Sequence, residues 1–153
     1  MKRILLNVSA FIGIVCFNGV FANDQKMHMK NHHHDMSTVD TRISLEVTGE
    51  MKQHQLANMR GHVDAIRSIV GLMSERKFDD ASKIAHDKLG LTPEMQSMCG
   101  MFNNENFKKL GLAFHKSGDE LGDALKTEDV NASLRALNKT MQYCVECHAT
   151  YRQ

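Results

Sequence analysis

Proline is nearly absent from this chain: Pro93 is the only one in 153 residues. Proline inside a helix removes a hydrogen bond and clashes with the preceding turn, so its absence leaves long helices unbroken. No segment alternates apolar and polar residues as a half-buried strand does. Cysteine is scarce as well, with four in the whole chain, too few for a dense disulfide framework. Neither sign of charge prevails, with 19 basic against 18 acidic residues. That balance gives no basic surface for nucleic acid. Beyond residue 22 no apolar run is long enough to span a bilayer. A phosphate-cradling glycine loop, a serine nucleophile elbow and a convincing carboxylate pair are all missing, so no enzyme class is indicated.

The one long apolar run opens the chain. Lys2 and Arg3 lead into Ile4 to Ala22, and Val20-Phe21-Ala22 is a small-residue cleavage site. Residues 1–22 therefore read as a secretory signal peptide. Val15 ahead of Cys16 departs from the small residue that a lipoprotein site wants. Cleavage after Ala22 lowers the basic count from 19 to 17 against 18 acidic residues, a net charge of −1. The expected location is an exported compartment, a bacterial periplasm, with no membrane attachment after cleavage. Three cysteines remain, Cys99, Cys144 and Cys147, an odd number where disulfides pair thiols evenly. Residues 23–37 form a polar tract rich in Met and His, including His32 to His34. Thioether and imidazole suit copper, but nothing in the tract fixes a ligand geometry, and it reads as a disordered, solvated arm.

Residues 38–153 carry helical periodicity throughout. Leu45, Gly49, Lys52, Leu56, Met59, Val63, Ile66, Val70 and Met73 follow at spacings of four and three, and all but Gly49 and Lys52 are apolar. Phe78, Ala81, Ile84, Ala85 and Leu89 mark a short second helix, stopped at Gly90 by a left-handed residue. Thr92 caps a restart, with Pro93 in the first turn. Phe107, Leu110, Phe114, Leu121 and Leu125 line a third main helix that tolerates Gly118 at some cost. Thr127 is the expected cap of the last helix, with Glu128 and Asp129 in its first turn and Val130, Leu134, Leu137, Met141, Cys144, His148 and Tyr151 on its stripe. The fold class expected is all-α, an antiparallel four-helix bundle, large enough to bury a core without disulfides.

The last stripe runs into chemistry. Cys144-Val145-Glu146-Cys147-His148 is a C-x-x-C-H run, which reads as a c-type haem attachment site. Two thiols bond the vinyl-derived carbons of the porphyrin, and the next residue, His148, gives an axial nitrogen to the iron. Such use also accounts for the odd thiol count. Two rivals stand beside it. A redox-thiol pair wants a strand-to-helix setting that is missing here. A zinc site from Cys99, Cys144, Cys147 and His148 would crowd two adjacent donors into one tetrahedron.

The ending Cys144-x-x-Cys147-His148-x-x-Tyr151-Arg152, together with Lys52-Gln53-x-x-Leu56-x-x-Met59-x-x-His62 in the first helix, resembles the cytochrome c′ family. The resemblance implies one covalent haem c on the C-terminal helix, with Cys144 and Cys147 as thioether cysteines and His148 as axial ligand. It puts Leu56 on the distal face, where some members carry a ligating methionine, and Arg152 near the haem pocket. Leucine has no donor atom, which implies five-coordinate iron open to small ligands such as NO or CO. A homodimer through the first two helices is implied too. Lys52 departs from the family's arginine and lacks its planar fork.

The remaining candidates have plain roles. Met59, Met95, Met98 and Met101 are expected to pack in the core, though Met59 also lies at the pocket and the others bring sulfur near it. Cys99 reads as a small buried hydrophobe. His54, His62 and His86 form no closed ligand set, His115 reads as a boundary residue, and Asp119 and Asp123 as part of a solvated face. The function expected is one-electron transfer with redox partner proteins. NO or CO binding is the alternative, and a haem-free zinc or redox-thiol protein the third.

Overall fold

The computed structural model describes residues 39–153. The expected signal peptide, the Met/His-rich arm and Thr38 lie outside the described residues. What is described is all-α but for one short strand pair. The elements are β1 (Ile43–Ser44), α1 (Gly49–Ser74), α2 (Phe78–Ile84) continuing as a π-helical turn (Ala85–Leu89), α3 (Pro93–Gly100), α4 (Glu105–Lys126), α5 (Val130–Thr150) and β2 (Tyr151–Arg152).

α4 is the central helix. It packs on α2, on the π turn, on α3 and on α5, whereas α1 packs chiefly on α2 and the π turn. Polar bonds fix the directions. Thr140 Oγ1 donates to Ser117 O at 3.1 Å and Ser133 Oγ to Ala124 O at 3.4 Å, so α5 runs antiparallel to α4. Ser82 Oγ donates to Gly122 O at 2.8 Å, and His86 Nδ1 meets Asp119 Oδ1 at 3.0 Å, so α2 also runs antiparallel to α4. The shared core holds Ile69, Phe78, Ala81, Ala85, Leu89, Phe114, Leu121, Leu125 and Leu137. The expected inward residues of α2 and α4 are thus at or near the core, with Ile84 and Leu110 half-buried.

The structure differs from the expected pattern at several places. Residues Val39–Thr48 are not helical, and Ile43–Ser44 pairs in parallel with Tyr151–Arg152, where no strand was expected. The stripe on α1 holds only in part: Ile66 and Met73 pack against the core, but the buried positions are Gln55, Ala65 and Ile69, and Val63 and Val70 are 69% and 50% exposed. On α5 the buried positions are Ser133, Leu137 and Thr140, and Leu134 and Met141 face outward. Asp129, not Thr127, caps α5, accepting from Asn131 N and Ala132 N. Thr127 instead donates its hydroxyl to Ala124 O at the end of α4, and Glu128 adopts φ 55° between the two helices. Thr92 caps α3 as expected, accepting from Met95 N.

Gly90 and Gly118 owe their place to close approach of the backbone of the π turn. Gly90 has φ −69°, so it is not the left-handed stop expected. A Cβ there would collide with Asp119 and with the His86 carbonyl. Gly118 lets the backbone of Leu89 press against α4, where a Cβ would stand 2.4 Å from Leu89 O.

Candidate haem-attachment cavity

α1 and α5 are not among the closely packed helix pairs. A cavity of about 440 Å³ is lined by residues of both, within the span of roughly 300–1,000 Å³ usual for ligand pockets. α1 contributes Gln55, Leu56, Met59, His62 and Ile66 to its wall, and α5 contributes Tyr143, Cys144, Cys147 and His148. α3 adds Met95, Met98 and Cys99, and α4 adds Phe107, Leu110, Phe114 and His115. The wall is predominantly apolar, with a few imidazole, amide and thiol groups set into it.

Helix periodicity explains the grouping. Cys144, Cys147 and His148 lie three and four apart near the end of α5, so one helical side presents them together. The helix stops directly after them. Tyr151 leaves it in an extended conformation, its backbone N–H bonded to Cys147 O. Tyr151 is buried edge-on to Phe107, ring centroids 5.1 Å apart. Arg42 Nη1 donates to His148 O at 3.3 Å, tying the N-terminal segment to this end of α5.

The three thiols of the described residues are unpaired. Burial pushes the Cys147 thiol up to about 11, with Cys144 and Glu146 adding to the effect. Burial also raises Cys144 and Cys99. A redox-active pair needs the opposite, a thiol made acidic by a cation or a helix N-terminus; these two sit near a helix C-terminus. Cys99 lines the same cavity but packs against α4, its Sγ 3.0 Å from where a Cβ on Gly111 would stand. Among the described residues no three His, Cys, Asp or Glu side chains gather into a group that would hold a metal ion. The four donors considered for zinc are therefore not brought together as such a site.

Four imidazoles line the cavity, those of His54, His62, His115 and His148. His115, expected at the boundary, is 5% exposed, and its Nδ1 lies 2.9 Å from Leu89 O. A carbonyl only accepts, so Nδ1 carries the proton. Burial lowers the His115 pKa despite that bond. His62 stacks at a tilt on Phe114, centroids 4.8 Å apart, and edge-on to His115 at 5.5 Å. Burial first, and His115 second, bring its pKa down to about 4, so both rings are neutral near pH 7.

His54 and His86 join neighbouring helices. His54 Nε2 lies 2.8 Å from Met98 Sδ, and Asn58 Nδ2 donates to the same sulfur at 3.6 Å, which joins α1 to α3. His86 bridges toward Asp119 at 3.0 Å and Asp123 at 3.4 Å. Asp119, expected on a solvated face, also accepts from Leu91 N at 3.0 Å.

Of the residues marked in the sequence, Cys144, Cys147, His148, Leu56 and Met59 line this one cavity. Arg152 does not; it lies in β2, partly exposed, with Nε 3.8 Å from Asp40 Oδ2. Sequence reasoning missed Gln55, although Gln55, Met59, His62 and Ile66 follow at four-three-four spacing and so share a face. The described residues contain no helix long and apolar enough to cross a membrane. Comparison with protein-family models, with curated proteins and with solved structures gives no match.

Proposed function

We propose that the chain is an exported, mono-haem c-type cytochrome that carries single electrons, built as an antiparallel four-helix bundle resembling cytochrome c′. One observation carries the reading: the two thiols and the imidazole of the C-x-x-C-H run line the same apolar cavity as Leu56 and Met59. The donor set and its surroundings fit a covalently held haem. Cys144 and Cys147 supply two neutral thiols for thioether bonds, and His148 supplies a nitrogen for the iron. When bound, the haem supplies an iron that cycles between ferric and ferrous states.

The rest is work for the protein. Cys144 and Cys147 anchor the group to α5, so retention does not depend on burial alone. Ile66, Phe114 and Leu110 exclude water from the wall. His62 and His115 stay neutral and add no charge to it. His148, exposed at the helix end, offers a short route to redox partner proteins. No catalytic role is assigned, and the site is a carrier's rather than an enzyme's. Export to a periplasm, loss of residues 1–22 and a homodimer through α1 and α2 belong to the same proposal. The exposed Val63 and Val70 on α1 are compatible with the last.

A second reading, binding of NO or CO at five-coordinate iron, is favoured by Leu56, which lines the cavity without a donor atom. A haem-free zinc or redox-thiol protein has less support, since the thiols are raised rather than acidic and no metal-holding group forms among the described residues.

The test is Cys147→Ser. The parent protein, exported from a strain that matures c-type cytochromes, is expected to keep haem on a denaturing gel stained for peroxidase activity. The variant should lose most of that stain. Full retention by the variant would remove Cys147 from the attachment.

A further inference from the structure

Gln55 stands one residue before Leu56 in α1 and lines the cavity. It is 8% exposed, and its Oε1 is buried with no hydrogen-bond partner among the described residues. An amide buried without a partner is destabilising, and folded proteins rarely keep one without a use for it. The other polar side chains of this wall that make hydrogen bonds are engaged within the protein. His54 and Asn58 meet the sulfur of Met98, and His115 donates to Leu89 O. Gln55 is left as the amide available to something held in the cavity.

We propose that the side-chain amide of Gln55 hydrogen-bonds a diatomic ligand, carbon monoxide or nitric oxide, held at the iron on the α1 side of the cavity. The inference rests on the haem reading above. The terminal torsion of glutamine is broad and two-fold, so rotation exchanges the oxygen and the NH₂. The NH₂ donates, and the outer atom of an iron-bound diatomic accepts. Leu56 and Gln55 then divide the work between them. Leucine contributes bulk without a donor atom for iron, and glutamine contributes one donor that steadies the bound gas.

The experiment uses the purified haem protein, reduced and exposed to carbon monoxide, beside Gln55→Met and Gln55→Leu. Both variants remove the donor. Methionine also keeps the unbranched shape, which guards against a variant that fails to fold. A hydrogen bond to the bound gas lowers its C–O stretching frequency, so the stretch should rise in both variants. Dissociation of carbon monoxide should quicken roughly fivefold, the effect of one modest hydrogen bond. An unchanged stretch and rate would overturn the proposal. So would a change confined to the reduction potential, which would put the amide on the rim of the haem. A haem protein that takes up no carbon monoxide overturns this inference while leaving the haem reading standing. A chain without covalent haem, seen on the gel before any gas is added, overturns both.

Discussion

Gly118→Ala tests how the cavity wall is held. In most helix interiors this change is favourable by about 1 kcal/mol, because alanine is the better helix former. Here the new Cβ would stand 2.4 Å from Leu89 O, 2.5 Å from its carbonyl carbon and 2.8 Å from its Cβ. Ordinary carbon contacts lie near 3.5–4.0 Å, so the backbone of the π turn must withdraw by roughly an ångström. It is poorly free to do so. The Leu89 side chain is fully buried, His115 donates to its carbonyl, and Asp119 holds Leu91 N two residues on. Overpacking of this kind costs about 1–3 kcal/mol, and loosening the His115 bond adds about 1 kcal/mol. Set against the helix gain, the net loss is about 2 kcal/mol, or about 8 °C in Tm for a domain of this size. Gly61→Ala and Gly71→Ala are the controls, since a Cβ at either meets nothing within 4 Å among the described residues. They should be neutral to stabilising by up to about 1 kcal/mol. Thermal and urea unfolding followed by circular dichroism would decide. A Gly118→Ala protein as stable as its Gly61→Ala counterpart would refute the packing argument.

Other expectations follow from the same geometry. Leu56→Met should move the iron toward a low-spin, six-coordinate spectrum, and an unchanged spectrum would take Leu56 off the distal face. His62 is held neutral down to about 4, below the ordinary histidine value of about 6.5. Between those values the folded state binds fewer protons than the unfolded one, so stability is full above the higher value and falls as pH drops toward the lower. The loss amounts to about 3 kcal/mol. Urea titrations at pH 7 and pH 4.5 should show the decline, and His62→Phe should flatten it; an equal slope in the variant would contradict the assignment. Glu128→Gly should stabilise by about 1 kcal/mol, since φ 55° suits glycine better than glutamate. Equal or lower stability on thermal unfolding would speak against that strain.

The helical plan was legible because α2 and α4 each bury one clear face, with Phe78, Ala81, Ala85 and Leu89 on one and Phe107, Phe114, Leu121 and Leu125 on the other. The C-x-x-C-H run is legible as a local pattern of residue types, and its three donors line one cavity. α1 is legible only in part, for a physical reason. Leu56, Val63 and Val70 make an even apolar stripe, yet the buried positions are Gln55, Ala65 and Ile69, and of these only Ala65 and Ile69 join the core. Periodicity finds a stripe but does not choose between two adjacent faces when one is built from small and polar residues. His115 was misplaced because α4 is covered on several sides, which no single-helix pattern reveals. Thr127 and Asp129 are two fair caps two residues apart, and only the backbone chooses between them. Arg152 matches the family's ending in sequence, but the chain leaves the helix at Tyr151 and carries it to the strand pair. Gln55 had a readable position, though its isolation from any partner shows only in three dimensions.

The most direct test of the central claim is the absorption spectrum of the exported, purified protein after extraction with acidic acetone, which strips haem that is not covalently held. A covalent haem c predicts a Soret band that stays with the polypeptide, and ferric and ferrous spectra that interconvert. High-spin features that shift on NO would add the open iron. A polypeptide left without a Soret band would contradict the account and return Cys144 and Cys147 to thiol or metal chemistry.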